Sequence, residues 1–312
     1  MRRRTVLALG ALALAGACGV QAPPYRRELS LAVPGPPGGC GDGVAAGFKA
    51  LIEGRRWARA VRIRRETGDG GQLLARPGGP RTDLVIADPA LLAACALTRD
   101  PLLVTRAVPL ARLAGEWEVL VASPDSGYRT FEHFAAALLR DPGGPAVGGG
   151  ADRGPEHLLL GLTARGLGAD PRLLHYVAFD TRAQAVAAVL DGRIALGFGG
   201  RREVAPHVRA GRLRPLAVSS AERLPGVDAP TLSESGVRIV YADWTGLIAP
   251  PGTPGRDALL DLCRAVAGTP GWRSLCERND WTPMWLEGDD FRQWLTVEAR
   301  RTALLLNDLG LH

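Results

Sequence analysis

Lysine, aromatic residues and dense basic runs are all scarce in this sequence. Lys49 is the only lysine among 38 basic residues, and aromatic residues occupy 5% of the 312 positions. Surfaces that bind nucleic acid combine clustered basic side chains with interleaved aromatic ones, so the scattered arginines exclude that class of function. Subtracting the three arginines at positions 2–4 with a signal peptide lowers the formal charge from +6 to +3, which is a mild excess.

Motifs of the common enzyme classes are also absent. The chain has no Gly-x-Ser-x-Gly, no His-Glu-x-x-His and no Walker loop. It has no Cys-x-x-Cys pair, which argues against a zinc ribbon or a thioredoxin-type site, and we expect no metal and no cofactor. One enzyme alternative stays open, in which Cys40 is the nucleophile of a hydrolase and His157 faces it as the base.

The first 18 residues have the order of features found in a bacterial export signal. Three arginines precede an apolar stretch over 5–15 that is too short to span a bilayer stably. Small residues then lead directly to Cys18, as in a lipobox. We interpret residues 1–17 as a signal peptide of the lipoprotein type and Cys18 as the lipidated residue, with an ordinary signal peptide cut near Ala17 as the alternative. Sec and twin-arginine export both stay open.

Four cysteines remain after Cys18. Export permits disulfides, and four cysteines allow three pairings, of which Cys263–Cys276 would join two adjacent C-terminal helices. Spacing does not decide among these pairings. Cys40 lies within a glycine loop, where a small loop filler is the alternative to a nucleophile.

Two glycine-rich loops each connect a predicted strand to a predicted helix. In the first, a strand over Leu29–Val33 leads through the loop Pro34–Asp42 to a helix over Gly43–Glu53, and Asp42 is placed to cap that helix. In the second, glycines follow an apolar approach and Pro155 opens the helix. Glycine lets the backbone approach a ligand, and free N–H groups at a helix start attract anions. Each loop therefore predicts a pocket for a carboxylate or phosphate, although such turns also serve as plain connectors.

Elsewhere the predicted strands and helices alternate. This order predicts an α/β fold with largely parallel sheets and helices on both faces, and helices dominate from Gly255 to Leu309. Ligands of such sheets bind beyond the carboxyl ends of strands, which is where both glycine loops lie. Two such loops far apart in sequence suggest two lobes that face each other across a cleft.

Several short motifs occur in one order along the chain. They are the loop Pro37–Asp42, the GGG…GPEHLL segment over 148–159, the pair Tyr176 and Asp180, and the segments 210–218, 228–236 and 243–254. Together they resemble the solute-receptor component of tripartite tricarboxylate transporters, the TctC/Bug-type extracytoplasmic binding proteins. The resemblance runs from about Leu29 to Leu311.

The resemblance implies a two-lobed, periplasmic-binding-protein-like fold of type II with hinge strands between the lobes. Residues 25–122 and 243–312 would form lobe 1 and residues 123–242 lobe 2, with crossovers near Glu118–Ala122 and Thr245–Ala249. It also implies a monomeric lipoprotein on the outer face of the cytoplasmic membrane. That protein would capture a small organic acid, such as a di- or tricarboxylate, and deliver it to permease subunits. A sensor that acts on a membrane histidine kinase is the alternative.

The resemblance also places the ligand contacts on three loops. The first-lobe contacts would be Gly38, Gly39, Cys40 and Asp42. The second-lobe contacts would be Gly149, Gly150, Ala151, Asp152 and His157, joined on a third loop by Asp180, Thr181 and Arg182. For the lone His157, a satisfied and partly buried residue is the alternative.

Two loops depart from the family pattern. Relatives usually carry glycine where this chain has Thr181 and Arg182, so a side chain there narrows the site or adds its own chemistry. We hypothesise that Arg182 supplies a second anion contact, because a guanidinium pairs bidentately with a carboxylate. The alternative is a solvent-facing arginine on the first turn of a helix. Asp152 would repel an incoming anion unless Arg153 neutralises it or the ligand carries an amine.

Overall fold

The computed structural model describes residues 25–34, 39–66, 74, 82–98 and 105–311. The predicted signal peptide over 1–17, the lipidation site Cys18 and the loop residue Gly38 lie outside the described residues. Among the described helices, none combines the length and the apolar character needed to cross a bilayer.

Ten strands form the sheet of the described chain. They are β1 (Tyr25–Pro34), β2 (Ala58–Glu66), β3 (Thr82–Ala87), β4 (Val108–Ala122), β5 (Ala146–Gly149), β6 (His175–Ala178), β7 (Leu196–Gly200), β8 (Arg214–Val218), β9 (Ala242–Ala249) and β10 (Thr282–Glu287).

Nine α-helices lie among these strands in the described residues. They are α1 (Cys40–Gly54), α2 (Pro89–Leu97), α3 (Phe131–Arg140), α4 (Pro155–Leu167), α5 (Arg182–Leu190), α6 (Arg201–Arg209), α7 (Arg256–Ala267), α8 (Pro270–Asn279) and α9 (Gly288–Asp308). One turn of 3₁₀ helix, Pro171–Leu173, precedes β6.

The sheet has two halves that meet at β4. Its order is β2-β1-β3-β9-β4-β7-β5-β6, and β8 and β10 also pair with β4. Residues 108–117 of β4 pair with β9 and β10, and residues 118–122 pair with β7 and β8. We call β1, β2, β3, β9, β10 and residues 108–117 the first half, and β5 to β8 with residues 118–122 the second half.

The prediction of largely parallel sheets is wrong for the middle of the molecule. β1 pairs in parallel with β2 and β3, and β5 with β6 and β7. Every pairing of β4 and β9 is antiparallel. The reason is that the chain leaves the first half along β4 and returns to it along β9, so these two neighbours run in opposite directions.

Each half has its own hydrophobic core. In the first half, α1 and α7 pack on β1 and β3 around the fully buried Phe48, and a neighbouring cluster surrounds Phe291 at the start of α9. In the second half, α3 and α4 pack on β5 and β7 around Phe134. The last turns of α9 bring Leu305 into this second core. The C-terminal helix therefore contacts both halves, and the predicted lobe bounds stay a prediction.

The local signals were strong at several helix ends. Pro155 is the first residue of α4, and Gly192 has the left-handed φ of +68° that its place after α5 requires. The predicted capping role of Asp42 is wrong, because α1 already begins at Cys40 and its N-cap is Gly39. Asp42 lies in the first turn, and its carboxylate accepts a hydrogen bond from Arg65 on β2.

Candidate functional site

The first glycine loop leads from β1 into α1. Gly39 has extended backbone and, having no side chain, gives α1 no side-chain cap. Cys40 is buried and stands at the very start of the helix. An anion site at this helix N-terminus stays a prediction.

The second glycine loop leads from β5 into α4 and is filled by the protein itself. Glu156, the second residue of α4, is only 4% exposed. The backbone N–H groups of Glu156 and Gly150 lower the pKa of this carboxyl against the effect of burial. A Cβ built on Gly150 would lie 3.2 Å from Glu156 Oε2. The carboxyl of Glu156 therefore lies at the loop where an anion site is predicted.

The third loop leads from β6 into α5 and delivers Arg182 to the centre of the site. The Thr181 side chain caps α5 by accepting a hydrogen bond from the Gln184 N–H. The Arg182 side chain is only 13% exposed, so the alternative of a solvent-facing arginine is wrong. Its Nε donates to Glu203 Oε2 at 2.8 Å and its Nη1 to Glu118 Oε1 at 2.8 Å.

Further carboxylates complete the surroundings of this guanidinium. Nη2 of Arg182 donates to Glu116 Oε2, while Nη1 lies 4.0 Å from Glu156 Oε1 and 3.9 Å from Asp243 Oδ2. Glu116 also accepts a hydrogen bond from Trp281 Nε1 at 3.0 Å. We call Glu116, Glu118, Glu156, Glu203 and Asp243 with Arg182 the Arg182 cluster. The carboxylates that Arg182 binds belong to the protein.

Glycines near this cluster make room for protein side chains. A Cβ on Gly149 would lie 2.3 Å from the Tyr176 hydroxyl oxygen, and one on Gly200 would lie 3.2 Å from Arg182 Nη2. Side chains at these positions would meet Tyr176 and Arg182 at distances tighter than ordinary packing allows. The sequence suggested a close approach of backbone to ligand, and at these two positions the close neighbour is a protein side chain.

Two adjoining cavities lie where the strand ends of both halves meet. The smaller has a volume of about 110 Å³ and the larger about 490 Å³. Both are lined by Gly39, Cys40 and Arg182, so the guanidinium stands between them. Small-molecule sites usually enclose roughly 300–1,000 Å³, and the smaller cavity alone is too small for most ligands.

Most of the predicted site residues line the smaller cavity. They are Gly39, Cys40, Asp42, Gly150, Ala151, Asp180, Thr181 and Arg182. Loops from both halves of the sheet thus converge on one space, although they are far apart in sequence.

Three predicted residues lie outside both cavities as the described residues define them. Gly149 packs under Tyr176. His157 is 9% exposed, its Nδ1 lies 2.9 Å from Asp152 Oδ1, and its ring stacks on Tyr176 with centroids 4.2 Å apart. Asp152 also pairs with Arg153. The satisfied, partly buried histidine described as the alternative is what the structure shows.

The geometry gives no support to a Cys40 nucleophile. Burial raises the pKa of the Cys40 thiol well above its usual value, and Glu116 and Asp243 raise it further. Nucleophilic cysteines act as thiolates, so this thiol is unsuited to attack. All four described cysteines are free and buried, so the possible Cys263–Cys276 disulfide is not formed.

Sequence reasoning missed the acidic wall of the smaller cavity. Asp88, Glu156 and Asp243 line it together with the predicted Asp42 and Asp180. Asp88 directly follows β3 and precedes the helix-opening Pro89, and a polar residue at that edge of a sheet was a usable signal. Asp243 and Glu156 lay inside the quoted motifs, but nothing in their spacing indicated that they would meet Arg182.

Burial shifts the titration of these carboxyls. It raises the pKa of Glu118 and Asp243 well above the usual value, while Arg182 acts in the opposite direction. It also raises the pKa of Glu156, opposed first by Arg182 and then by the Glu156 N–H. Burial raises the pKa of Asp88 to about 6, opposed by the Leu91 N–H. A positive charge arriving in the cavity would therefore favour the ionised carboxylates, and a negative charge would oppose them.

Two curated relatives align with much of the chain. BugT of Bordetella pertussis is 26% identical over 297 residues, covering 91% of this chain and 90% of BugT. A UPF0065 protein encoded in the gbd 5′ region of Cupriavidus necator is 25% identical over 207 residues, or 65% of this chain. That alignment spans 62% of the Cupriavidus protein.

Solved structures with the same fold share 22–23% of their residues with this chain. A TctC solute-binding protein from Polaromonas has a TM-score of 0.71 and covers 91% of this chain and 99% of its own. MatC from Rhodopseudomonas palustris with bound malate has a TM-score of 0.70, covering 90% and 99%. Rpa4515 from R. palustris with adipate has a TM-score of 0.71, covering 91% and 97%.

The fold is that of the two-lobed periplasmic solute-binding proteins, and the site lies where the two halves of the sheet meet. The family model for the tripartite tricarboxylate transporter family receptor, TctC, matches residues 101–311, which is more than half of the chain. The chain belongs to this family, whose members are substrate-binding receptors rather than enzymes. Membership of a periplasmic receptor family implies that the protein is exported.

Proposed function

We propose that this chain is an extracytoplasmic receptor that captures a small organic acid between its two halves and delivers it to the permease of a tripartite tricarboxylate transporter. The observation that carries the proposal is the convergence of loops from both halves on one pair of cavities. The open N-terminus of α1 supplies backbone N–H groups for a carboxylate. Related receptors hold malate and adipate, which supports an acidic ligand.

The mechanism that fits this arrangement is hinge closure. A ligand that contacts α1 of the first half and the loops of the second half stabilises the form in which the halves approach each other. The lobes would comprise residues 25–122 with 243–312 and residues 123–242, and the pivot would lie where the pairing of β4 passes from one half to the other. The closed receptor then presents its ligand to the permease.

The test is a binding screen on the purified protein by thermal shift and calorimetry. Malate, succinate, adipate, citrate and acidic amino acids are compared with their methyl esters. We expect at least one acid to bind and its ester to bind at least tenfold more weakly, because the ester no longer carries the charge that α1 attracts. A saturating ligand at a hundredfold excess over Kd adds about 2.7 kcal/mol to stability. Equal binding of acid and ester, or no binding of any acid, would contradict the proposal.

We also propose that the receptor is anchored through lipid at Cys18 on the outer face of the cytoplasmic membrane. The test is mass spectrometry of the N-terminal peptide from the bacterial membrane fraction. A diacylglyceryl group on Cys18 that is lost in Cys18→Ala is the expected result. An unmodified N-terminus produced by cleavage near Ala17 would instead show an ordinary signal peptide.

A further inference from the structure

An ion pair joins the two halves of the molecule across the larger cavity. Arg201 begins α6 in the second half, and Asp280 directly follows α8, which packs in the core of the first half. Arg201 Nε donates to Asp280 Oδ2 at 2.6 Å, and Arg201 Nη2 donates to the other carboxylate oxygen. Both residues line the larger cavity. Since that cavity lies in the cleft between the halves, widening the cleft must separate these two side chains.

Neighbouring contacts support this ion pair. Arg201 Nη1 also donates to the Pro225 carbonyl at 2.9 Å, which ties the guanidinium to the loop after β8 in its own half. Arg202 Nη1 donates to Asn279 Oδ1 at 3.0 Å, which is a second hydrogen bond between α6 and α8. The side chains of Arg201 and Asp280 are 33% and 22% exposed, so water screens their attraction only in part. We call Arg201, Arg202, Asn279 and Asp280 the cross-cleft bridge.

The charged residues of the bridge break local preferences of their own helices. Asp280 has a φ of +62°, in the left-handed region where glycine usually ends a helix. Its carboxylate stands at the C-terminal end of α8, where the helix dipole disfavours negative charge. Arg201 and Arg202 stand at the N-terminal end of α6, where the dipole disfavours positive charge. These charges are therefore unfavourable within their own helices and are stabilised by the opposite half of the molecule.

The Arg182 cluster makes a further ionic contact between the halves. Arg182 belongs to the second half, and its Nη2 donates to Glu116 of the first half. Both residues line the larger cavity together with the cross-cleft bridge. The protein's own side chains thus connect the halves at two places around this cavity. In hinge closure, such a connection is what a bound ligand provides.

Resting on the hinge closure proposed above, we infer that the cross-cleft bridge is a latch that draws the two halves together before any ligand binds. The latch opens when a ligand enters or leaves the larger cavity, so it limits the rate of capture and release. Because the latch populates the closed form in advance, less of the ligand's binding energy is used for closure. The ligand then adds to a closure that the protein has begun.

The test is made without ligand, on the variant Asp280→Gly. Glycine adopts the φ of this position without strain, so the substitution removes the carboxylate and spares the backbone. We expect small-angle X-ray scattering to give a larger radius of gyration for the variant than for the unaltered protein. We also expect amide hydrogen exchange in the cleft segments 200–204 and 279–282 to become at least tenfold faster, because these segments open to solvent.

A matched control separates the latch from ion pairs in general. Arg223 pairs with Glu234 within the second half, so Arg223→Ala breaks an arginine–carboxylate pair without releasing the halves. It should change neither the radius of gyration nor the exchange of the two segments. Salt gives a further measurement on the unaltered protein, since raising sodium chloride from about 20 mM to about 500 mM screens partly exposed charges. We expect the radius of gyration to increase over that range.

The outcomes distinguish the latch from the receptor function. An unchanged radius and unchanged exchange in folded Asp280→Gly would overturn the latch, even where an acid of the binding screen binds. If Asp280→Gly does not fold, Arg201→Gln replaces it, and if neither folds, an unchanged radius in the salt series overturns the latch. A variant that opens as expected, in a protein that binds no acid of the screen, would support the latch and overturn the receptor function.

Discussion

The two glycine loops of this molecule begin alike and end differently. Each connects a strand of a parallel pair to a helix whose first amides face the cleft. At α1 the N-cap Gly39 has no side chain to offer, whereas at α4 the Glu156 carboxyl lies beside the loop, with Oε2 3.2 Å from a Cβ built on Gly150. The comparison teaches that a strand, a glycine loop and a helix predict an anion-binding N-terminus but not whether the site is vacant. Vacancy depends on side chains that reach it from elsewhere in the fold.

The largest expected effect on stability comes from removing Arg182, the cation that pairs with the buried carboxyls of the Arg182 cluster. Arg182→Ala removes the one cation that pairs, among the described residues, with several carboxyls, including that of the fully buried Glu118. Loss of one partner from a buried ion pair costs about 3–5 kcal/mol. We expect a decrease of that size in the free energy of unfolding, measured by urea denaturation at pH 7.

A surface pair supplies the control for that measurement. Arg223 pairs with Glu234 at 3.0 Å, and both side chains are about half exposed. Exposed ion pairs contribute about 0–1 kcal/mol, so Arg223→Ala should cost no more than that. If Arg182→Ala and Arg223→Ala cost the same, the Arg182 cluster would not be a buried network.

The second prediction concerns the pH dependence of stability. Burial raises the pKa of Asp88 to about 6 from an ordinary value near 4, so the folded protein binds this proton more readily than the unfolded chain does. Stability from this group is therefore gained as pH falls from above 6 towards 4, and lost as pH rises through that range. The difference of about two in pKa corresponds to at most about 3 kcal/mol. Glu118, Glu156 and Asp243 act with the same sign.

We therefore expect the melting temperature to rise when the pH is lowered from 7 to 5. Asp88→Asn should reduce this rise, because Asn does not titrate but can still cap α2. Carboxyls whose pKa is lowered, such as Glu234 beside the Thr231 N–H, lie at the surface and oppose the trend only weakly. A melting temperature that falls steadily over this range would show that the buried carboxyls are not the dominant titrating groups.

The third prediction concerns a variant that removes the Glu156 carboxyl from the second glycine loop. Glu156→Ala removes the carboxyl that fills the N-terminus of α4 and lowers the negative charge of the smaller cavity. We expect the affinity for simple dicarboxylates such as malate to rise about tenfold, equivalent to about 1.4 kcal/mol, as measured by calorimetry. Glu132 holds the same position at the start of α3 but is exposed, so Glu132→Ala is the control and should leave the affinity unchanged. An unchanged affinity in Glu156→Ala would mean that Glu156 does not exclude anions.

The smallest expected effect is a difference in stability between the alanine variants of two threonines, each of which precedes a helix. Thr181 caps α5 through its side chain, whereas Thr130, the N-cap residue of α3, gives no side-chain cap hydrogen bond to that helix. Thr181→Ala should cost about 1 kcal/mol, and Thr130→Ala less than half of that. Chemical denaturation of the two variants measures the difference. Equal costs would show that the N-terminus of α5 does not depend on its cap.

The sequence predicted most of the framework and little of the polar interior. The strand and helix around the second glycine loop followed from the apolar approach before it and from Pro155, which are local signals. β2 and β10 were missed, because arginines interrupt the apolar pattern of β2 and β10 lies between helices. The Arg182 cluster could not be predicted, because its carboxylates come from β4, β9, α4 and α6 and only the folded chain brings them together.

The position of Glu116 and Glu118 on β4 has a mechanical consequence. Glu116 lies opposite Asp243 on β9 and Glu118 opposite Gly200 on β7, so these two residues lie on either side of Trp117, the last residue of β4 that pairs with β9. In the proposed closure, Glu116 and Glu118 of the Arg182 cluster therefore lie at the pivot between the halves. Displacement in a rigid rotation grows with distance from the pivot, so a small shift beside Trp117 accompanies a large one at the rims of the two halves. In that closure, a bound molecule would change the angle between the halves directly, without a relay of intervening side chains.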